Sequence, residues 1–374
     1  MCGLPKRAQH SHAAPVLGLA GIHVTNIGGY GPLIPYSHLR HHQRQNLRER
    51  IPLKKPFTIL FDPSSICNFR CIQCFQSVHN VSQLMKKGIM RYEHFTRIVD
   101  DFKVWDGPKL KVIRFIGFGE PFLNKELPRM LRYAKQASLA DRMEITSNCS
   151  LLTPTLSEQL VEHGLDYLRV SIYSPYQEKH EAVTHSAIDI RVIYDNLLRL
   201  QNIKLTHKSD RPFVYIKMLD TFDERENRAF FTKYSTVADE ILIEKPHNWL
   251  DMPDKDFLRD LYKGKKEEVM DRIKYEATLK HVCPQPFKMM SIRFNGDVVV
   301  CDPDWLNHTK VGNALEQSVE EIWNGTAMFE FRRMQIENRR HENPSCRACN
   351  TFLTDNYTVD NIDGIPLSQL ARKA

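Results

Sequence analysis

The sequence predicts an α/β fold: an open, partial (β/α)6 barrel with a small cysteine-rich domain behind it. Three observations carry that prediction. Strand and helix patterns alternate about six times between residues 56 and 250, and such alternation means parallel strands joined by right-handed crossovers. The strand-like runs are short and nearly continuously apolar, as strands covered on both faces are. Seven of the nine cysteines fall into two groups, one at the start of the alternation and one beyond it.

Residues 1–55 stand apart from this pattern. They hold Gly-Gly-Tyr-Gly, several prolines and the basic run HLRHHQRQNLRER, and read as an irregular basic extension. The barrel pattern covers 56–250. FTILF (57–61) is the first strand, and YEHFTRIVDDFKVW (92–105) has apolar residues at helical spacing. KVIRFIGFG (111–119) reads as a buried strand, ELPRMLRYAKQA (126–137) as an amphipathic helix and MEITS (143–147) as a strand. In TPTLSEQLVEHG (153–164), Thr153 suits the N-cap, Pro154 the first helical position and Gly164 the end. DYLRVSIY (166–173), PFVYIKML (212–219) and ADEILIE (238–244) continue the strands, with helices over 190–202 and 223–234 between them. Residues 251–280 are charged and read as a helical connector, and 281–352 as the second domain. There Asn295-Gly296, between two β-type runs, signals a hairpin. Residues 353–374 read as an extended tail.

Composition narrows the function. No run of 18 apolar residues exists, so no membrane-spanning helix is expected. The N-terminal apolar patch is broken by Gly and His, which makes a poor secretory signal, and a cytoplasmic location is expected. Basic residues do not interleave with aromatics in a stripe, so nucleic acid is not an expected partner. The formal charge of +7 suits solubility, or an acidic small substrate such as a phosphorylated or nucleotide-linked sugar. Nine cysteines in so long a chain without a signal peptide point to metal rather than to disulfides.

Cys67, Cys71 and Cys74 lie in CNFRCIQC, just after the first strand, where a parallel α/β barrel keeps its active site. Structural zinc closes its shell with four ligands, for which His79 would have to be the fourth. A 4Fe-4S cluster held at three irons leaves its last iron open to a small molecule. C-x3-C-x2-C in this place resembles the signature of the radical S-adenosylmethionine (SAM) superfamily. That resemblance implies a TIM-like partial barrel in which SAM chelates the open iron and is cleaved to a 5′-deoxyadenosyl radical. One departure stands out: the aromatic residue usual before the third cysteine is Gln73 here, with Phe75 after it. GFGEP (117–121) resembles the family's Gly-Gly-Glu-Pro motif, with Phe118 in place of a glycine; Gly119 and Glu120 match, implying a carboxylate for SAM's ammonium group. ITSNCSLLT (145–153) resembles the Thr-Asn-Gly segment through Ser147 and Asn148, with Cys149 replacing the glycine. Ser171 in VSIYSP matches the serine that nears the SAM ribose, and Lys217 on the fifth strand is placed to meet the SAM carboxylate.

Cys283, Cys301, Cys346 and Cys349 form the second group. Their spacing alone also suits zinc. The C-x12-G-x4-C opening resembles the SPASM domain, and with two further cysteines it resembles the shortened Twitch version, which implies one auxiliary 4Fe-4S cluster. Four protein ligands leave no open iron, which suits electron transfer. Similar spacing marks the family's aminocyclitol dehydrogenases. The reading is therefore an oxidoreductase turning a sugar, aminocyclitol or nucleotide-linked sugar alcohol into a ketone, served by an external donor such as flavodoxin or ferredoxin. His247 and Lys245, in EKPHNW after the sixth strand, are the candidate bases, His being suited to neutral pH. A peptide maturase, an epimerase in which Cys149 would matter, and a zinc-binding interaction module are the alternatives.

Overall fold

The computed structural model describes residues 45–244, 246, 261–262, 281–351 and 358–370, without the side chains of 79, 80 and 358. Among them a nine-stranded sheet runs in the order β6-β5-β4-β3-β2-β1-β7-β8-β9. The first six strands are β1 (Thr58–Phe61), β2 (Leu110–Phe115), β3 (Ala140–Ser147), β4 (Tyr167–Ser171), β5 (Phe213–Leu219) and β6 (Glu240–Glu244). All pair in parallel. On its other edge β1 pairs, again in parallel, with β7 (Met289–Ile292), Phe61 opposite Ile292. The chain then turns at Asn295-Gly296, where Gly296 takes φ +84°, into antiparallel β8 (Asp297–Val299), followed by β9 (Lys310–Asn313). The sheet of the barrel thus continues without a break into the hairpin of the cysteine-rich region.

The helices described below are α1 (His79–Leu84), α2 (Tyr92–Val104), α3 (Leu127–Gln136), α4 (Pro154–Glu162), α5 (Gln177–Thr184), α6 (Ile190–Thr206), α7 (Glu224–Tyr234) and α8 (Pro344–Ala348). At the start of α4 the Thr153 hydroxyl accepts from Leu156 N and Pro154 opens the helix, as the sequence predicts. Alternation along each strand sends Ile59, Phe61, Ile113, Phe115, Ile145 and Val170 into one apolar layer against the helices. The opposite face is mixed: Tyr167, Phe213, Tyr215 and Leu242 pack together on it, but charged pairs share it, contrary to the reading of nearly continuous apolar strands. Arg114 and Arg142 bind Glu144 at 2.7 and 2.6 Å, and Lys217 binds Glu244 at 2.6 Å. These charged positions fall between the core positions, so the apolar runs are less continuous than they look.

The segment read as an extended tail is packed. Ile362, Ile365 and Leu370 are buried with Leu47, Ile51 and Phe287, so the last described residues share one apolar cluster with the end of the segment read as a separate N-terminal extension. Each is a lone apolar residue in a polar stretch, which gives no periodic signal.

One sheet through both regions predicts one unfolding transition. Met290→Ala in β7, at a fully buried position, should cost roughly 2–5 kcal/mol and lower that single transition in calorimetry. A separate early transition for the hairpin, with the barrel unmoved, would contradict the shared core.

Candidate active site

The three cysteines occupy the loop that leaves the C-terminal end of β1. Cys71 is buried, and Cys67 and Cys74 are half-buried. The loop is gripped by α5: Arg70 N and Ile72 N donate to the carbonyls of Thr184 (2.8 Å) and Val183 (2.9 Å) at its C-terminal end. Burial pushes the Cys67 thiol up to about 12, and raises Cys71 and Cys74 as well, with the neighbouring thiols adding to the first two. All three are therefore protonated in the empty chain.

The spread of the thiols bears on what they hold. Among the described residues no three of these sulfurs have all their mutual separations within 4.8 Å; the one group meeting that limit is Glu158, Glu162 and His207. Zn–S bonds of about 2.3 Å put the ligands of one zinc ion roughly 3.8 Å apart. Three soft donors on a wider frame fit a multi-iron cluster. His79, the proposed fourth zinc ligand, has its side chain outside the described residues.

The GFGEP turn passes tightly under this loop. A Cβ on Gly119 would lie 2.1 Å from the Ile66 carbonyl oxygen, and one on Gly117 would lie 1.9 Å from Asp62 Oδ1, so both positions require glycine. Glu120 is buried and ties its own turn to the end of β3. Its carboxylate accepts from the Ser147 hydroxyl (2.7 Å), Asn148 N (2.9 Å) and Phe122 N (3.0 Å). Burial raises its pKa, and those three donors oppose the rise. Ser147 also accepts from Cys149 N at 2.8 Å, so its hydroxyl serves the turn. Asn148 enters a closed ring: Asn68 Nδ2 donates to Ser150 Oγ (2.8 Å), Ser150 Oγ to Asn148 Oδ1 (2.7 Å), and Asn148 Nδ2 to Asn68 Oδ1 (3.0 Å). Asn68 follows Cys67 directly, so the ring fastens the cysteine loop to the end of β3.

Ser171 ends β4 opposite Lys217 of β5, which brings the two expected SAM contacts side by side. Lys217 Nζ lies 2.6 Å from Glu244. Cys149 departs from its expected setting in the epimerase alternative. It sits fully buried in the apolar core at φ +56°, the left-handed backbone that a glycine there would take easily. His247 and Lys245 lie outside the described residues.

The four-cysteine group is assembled from three segments. Cys301 follows β8, Cys346 lies in α8, and Cys349 caps it. Asp304 is the fastener: its carboxylate accepts from Thr309 N (2.7 Å) and Thr309 Oγ1 (2.7 Å), from His308 N (3.0 Å), and from Ser345 Oγ (2.7 Å), beside Cys346. Arg340 bonds the carbonyls of Cys346 and Cys349 and brings positive charge to the thiols. Burial raises Cys283 to about 12 and Cys346 to about 11, and Cys301 well above its ordinary value, with the other sulfurs contributing in each case.

Of the residues that the sequence singles out, the structure places Gly119, Glu120, Ser147 and Asn148 against the three-cysteine loop and sets Ser171 beside Lys217. Sequence reasoning missed Asn68, Ser150, Asp304, Arg340 and the whole of α5. Asn68 was open to discovery, since a small amide between two ligands of CNFRC has backbone and side chain to orient. The others lack any local signal.

Known proteins match this arrangement. The model of the radical SAM superfamily matches residues 62–225, and that of the SPASM iron-sulfur cluster-binding domain matches 283–350. A tungsten-containing aldehyde ferredoxin oxidoreductase cofactor-modifying protein of Pyrococcus furiosus is 24% identical over 314 residues, covering 76% of this chain and 85% of that protein. An S-adenosyl-L-methionine-dependent 2-deoxy-scyllo-inosamine dehydrogenase of Niallia circulans is 26% identical over 91 residues, 24% of this chain and 36% of its own length. The solved structure of native anSMEcpe with bound AdoMet superimposes with a TM-score of 0.54 at 17% identity, over 79% of this chain and 88% of that one, and shows the common fold. The radical SAM match brings with it SAM and a 4Fe-4S cluster, and the SPASM match auxiliary iron–sulfur. No helix among the described residues is long and apolar enough to cross a membrane.

Two outcomes are expected. Thiols held protonated by burial must lose protons on loading, so iron binding to the empty chain should tighten as pH rises from 6.5 to 8.5 and release protons in weakly buffered titration. Equal affinity at both pH values would mean that the thiols are already ionised. Gly119→Ala should destabilise the fold by about 1–3 kcal/mol, read from its melting temperature.

Proposed function

We propose that this chain, which carries a radical SAM domain followed by a SPASM-type iron–sulfur domain, is an oxidoreductase that turns a sugar- or aminocyclitol-type alcohol into a ketone. The carrying observation is the second group of four half-buried cysteines, fastened by Asp304 and Arg340. Four ligands leave no place for substrate, so the group suits an electron carrier. When bound, the reduced three-cysteine cluster and SAM supply a 5′-deoxyadenosyl radical that removes a hydrogen atom from the substrate.

The chain's own residues do the rest. Glu120, with its carboxylate oriented by three donors, faces the SAM ammonium; Asn148 and Ser171 orient the nucleoside; Lys217 exchanges Glu244 for the SAM carboxylate. His247 or Lys245 takes the hydroxyl proton of the substrate radical, making it strongly reducing. An iron–sulfur group held by Cys283, Cys301, Cys346 and Cys349 would take up the remaining electron and so complete a two-electron oxidation. An external reductant such as flavodoxin or ferredoxin supplies the priming electron. The dehydrogenase relative from Niallia circulans supports this substrate class over a short match. A second reading, action on a peptide or on the cofactor of another protein, is favoured by the longer match to the Pyrococcus furiosus cofactor-modifying protein. The burial of Cys149 speaks against epimerisation with that thiol as hydrogen donor.

Anaerobically reconstituted protein with dithionite and SAM should release 5′-deoxyadenosine, and Cys71→Ala should abolish the release. With the right alcohol, ketone and 5′-deoxyadenosine should appear in equal amounts, and Cys346→Ala should suppress ketone while SAM cleavage persists at saturating SAM. Product without net oxidation, or turnover of peptides alone, would replace the dehydrogenase reading.

A further inference from the structure

Two departures from the family pattern meet at one point. Phe75 follows the third cysteine, and Phe118 stands where the motif usually has a glycine. The Phe75 ring meets Phe118 edge-on at 5.0 Å and stacks on Trp305 at 4.5 Å, with 20° between the planes. Trp305 is almost fully buried and lies four residues after Cys301. Val78, Val81 and Met85, from the segment after Cys74, complete the cluster, and Cys349 packs against it. Arg293 covers the free side: its guanidinium lies 3.8 Å from the Phe118 ring centre and bonds the Asp304 carbonyl at 3.0 Å. One packed group therefore starts next to Cys74 in the chain and touches Cys349 of the second cysteine group.

The two halves of the SAM-cluster loop are held differently. Its first half hangs from α5 through Arg70 N and Ile72 N. The stretch from Phe75 to Met85 has its apolar partners in the aromatic group that Trp305 completes. A core that only filled space would not need both aromatic departures to face each other across the boundary between the sites.

We propose that Phe75, Phe118 and Trp305 form a joint through which the four-cysteine unit positions the SAM-cluster loop, so that occupancy of the auxiliary site and SAM binding are coupled. Trp305 is a positioning residue: it acts on Cys74 through Phe75. Coupling of this kind is reciprocal, each site strengthening the other by the same factor. The inference uses the cofactors alone and stands or falls apart from alcohol oxidation.

The test uses full-length, anaerobically reconstituted protein, SAM as the titrant, and the SAM-induced change in the electron paramagnetic resonance signal of the reduced three-cysteine cluster. Trp305→Ala should weaken SAM binding about tenfold and blunt that spectral change, while Trp305→Phe should restore both. The Cys346→Ala/Cys349→Ala pair, which lacks the auxiliary cluster, should show a similar loss, and adding Trp305→Ala to it should cost nothing more. Wild-type affinity and spectrum in Trp305→Ala, with only a lower melting temperature, would overturn the proposal. So would losses that multiply in the combined variant. Should Trp305→Ala not fold, Phe75→Leu takes its place with the same expected and overturning results.

Discussion

Strand β1 spans only Thr58–Phe61, yet parallel neighbours bond to both of its edges, β2 on one side and β7 on the other. Everything at the mouth of the barrel follows from that double pairing. Phe61 lies opposite Ile292, and Asp62 N donates to the Ile292 carbonyl at 2.9 Å. The SAM-cluster loop and the auxiliary hairpin therefore leave the sheet side by side, in fixed register. A slip of one residue would turn every side chain of β7 to the other face, burying Arg293 in the apolar layer and pulling Cys301 away from the mouth.

The same pairing creates an electrostatic burden. Asp62 and Arg293 both sit in the buried seam, and burial lifts the Asp62 carboxyl to about 7 despite the nearby cation. Arg293 is shared: it lies 3.7 Å from the Asp302 carboxylate, bonds the Asp302 and Asp304 carbonyls and covers Phe118. Asp302 is raised by burial too. Arg293 holds its neighbours through this set of bonds and close contacts, in a seam where burial works against charge.

Local features were legible in the sequence because they depend on residues close in the chain. The Thr153 cap, the Asn295-Gly296 turn, the six alternations and the cysteine groups are of this kind. The partnership of β1 with β7 was not, because it joins Thr58 to Met289, and no pattern in either strand names the other. Helix α5 was missed because QEKHEAVT buries only His180 and Thr184, too few for an apolar stripe. Phe75 and Phe118 looked like defects in known motifs. Only the fold shows that each occupies space offered by the other, with Trp305 between them and the second cysteine group.

The ring of Asn68, Ser150 and Asn148 carries a consequence for motion. Its three bonds run head to tail in one sense around the circle, so turning any one amide over sets donor against donor at its neighbour. The ring cannot loosen bond by bond without leaving buried polar groups unmatched. The cysteine loop then parts from the end of β3 as one cooperative opening, and the backbone amides around Asn148 and Ser150 exchange their hydrogens together rather than fraying in sequence.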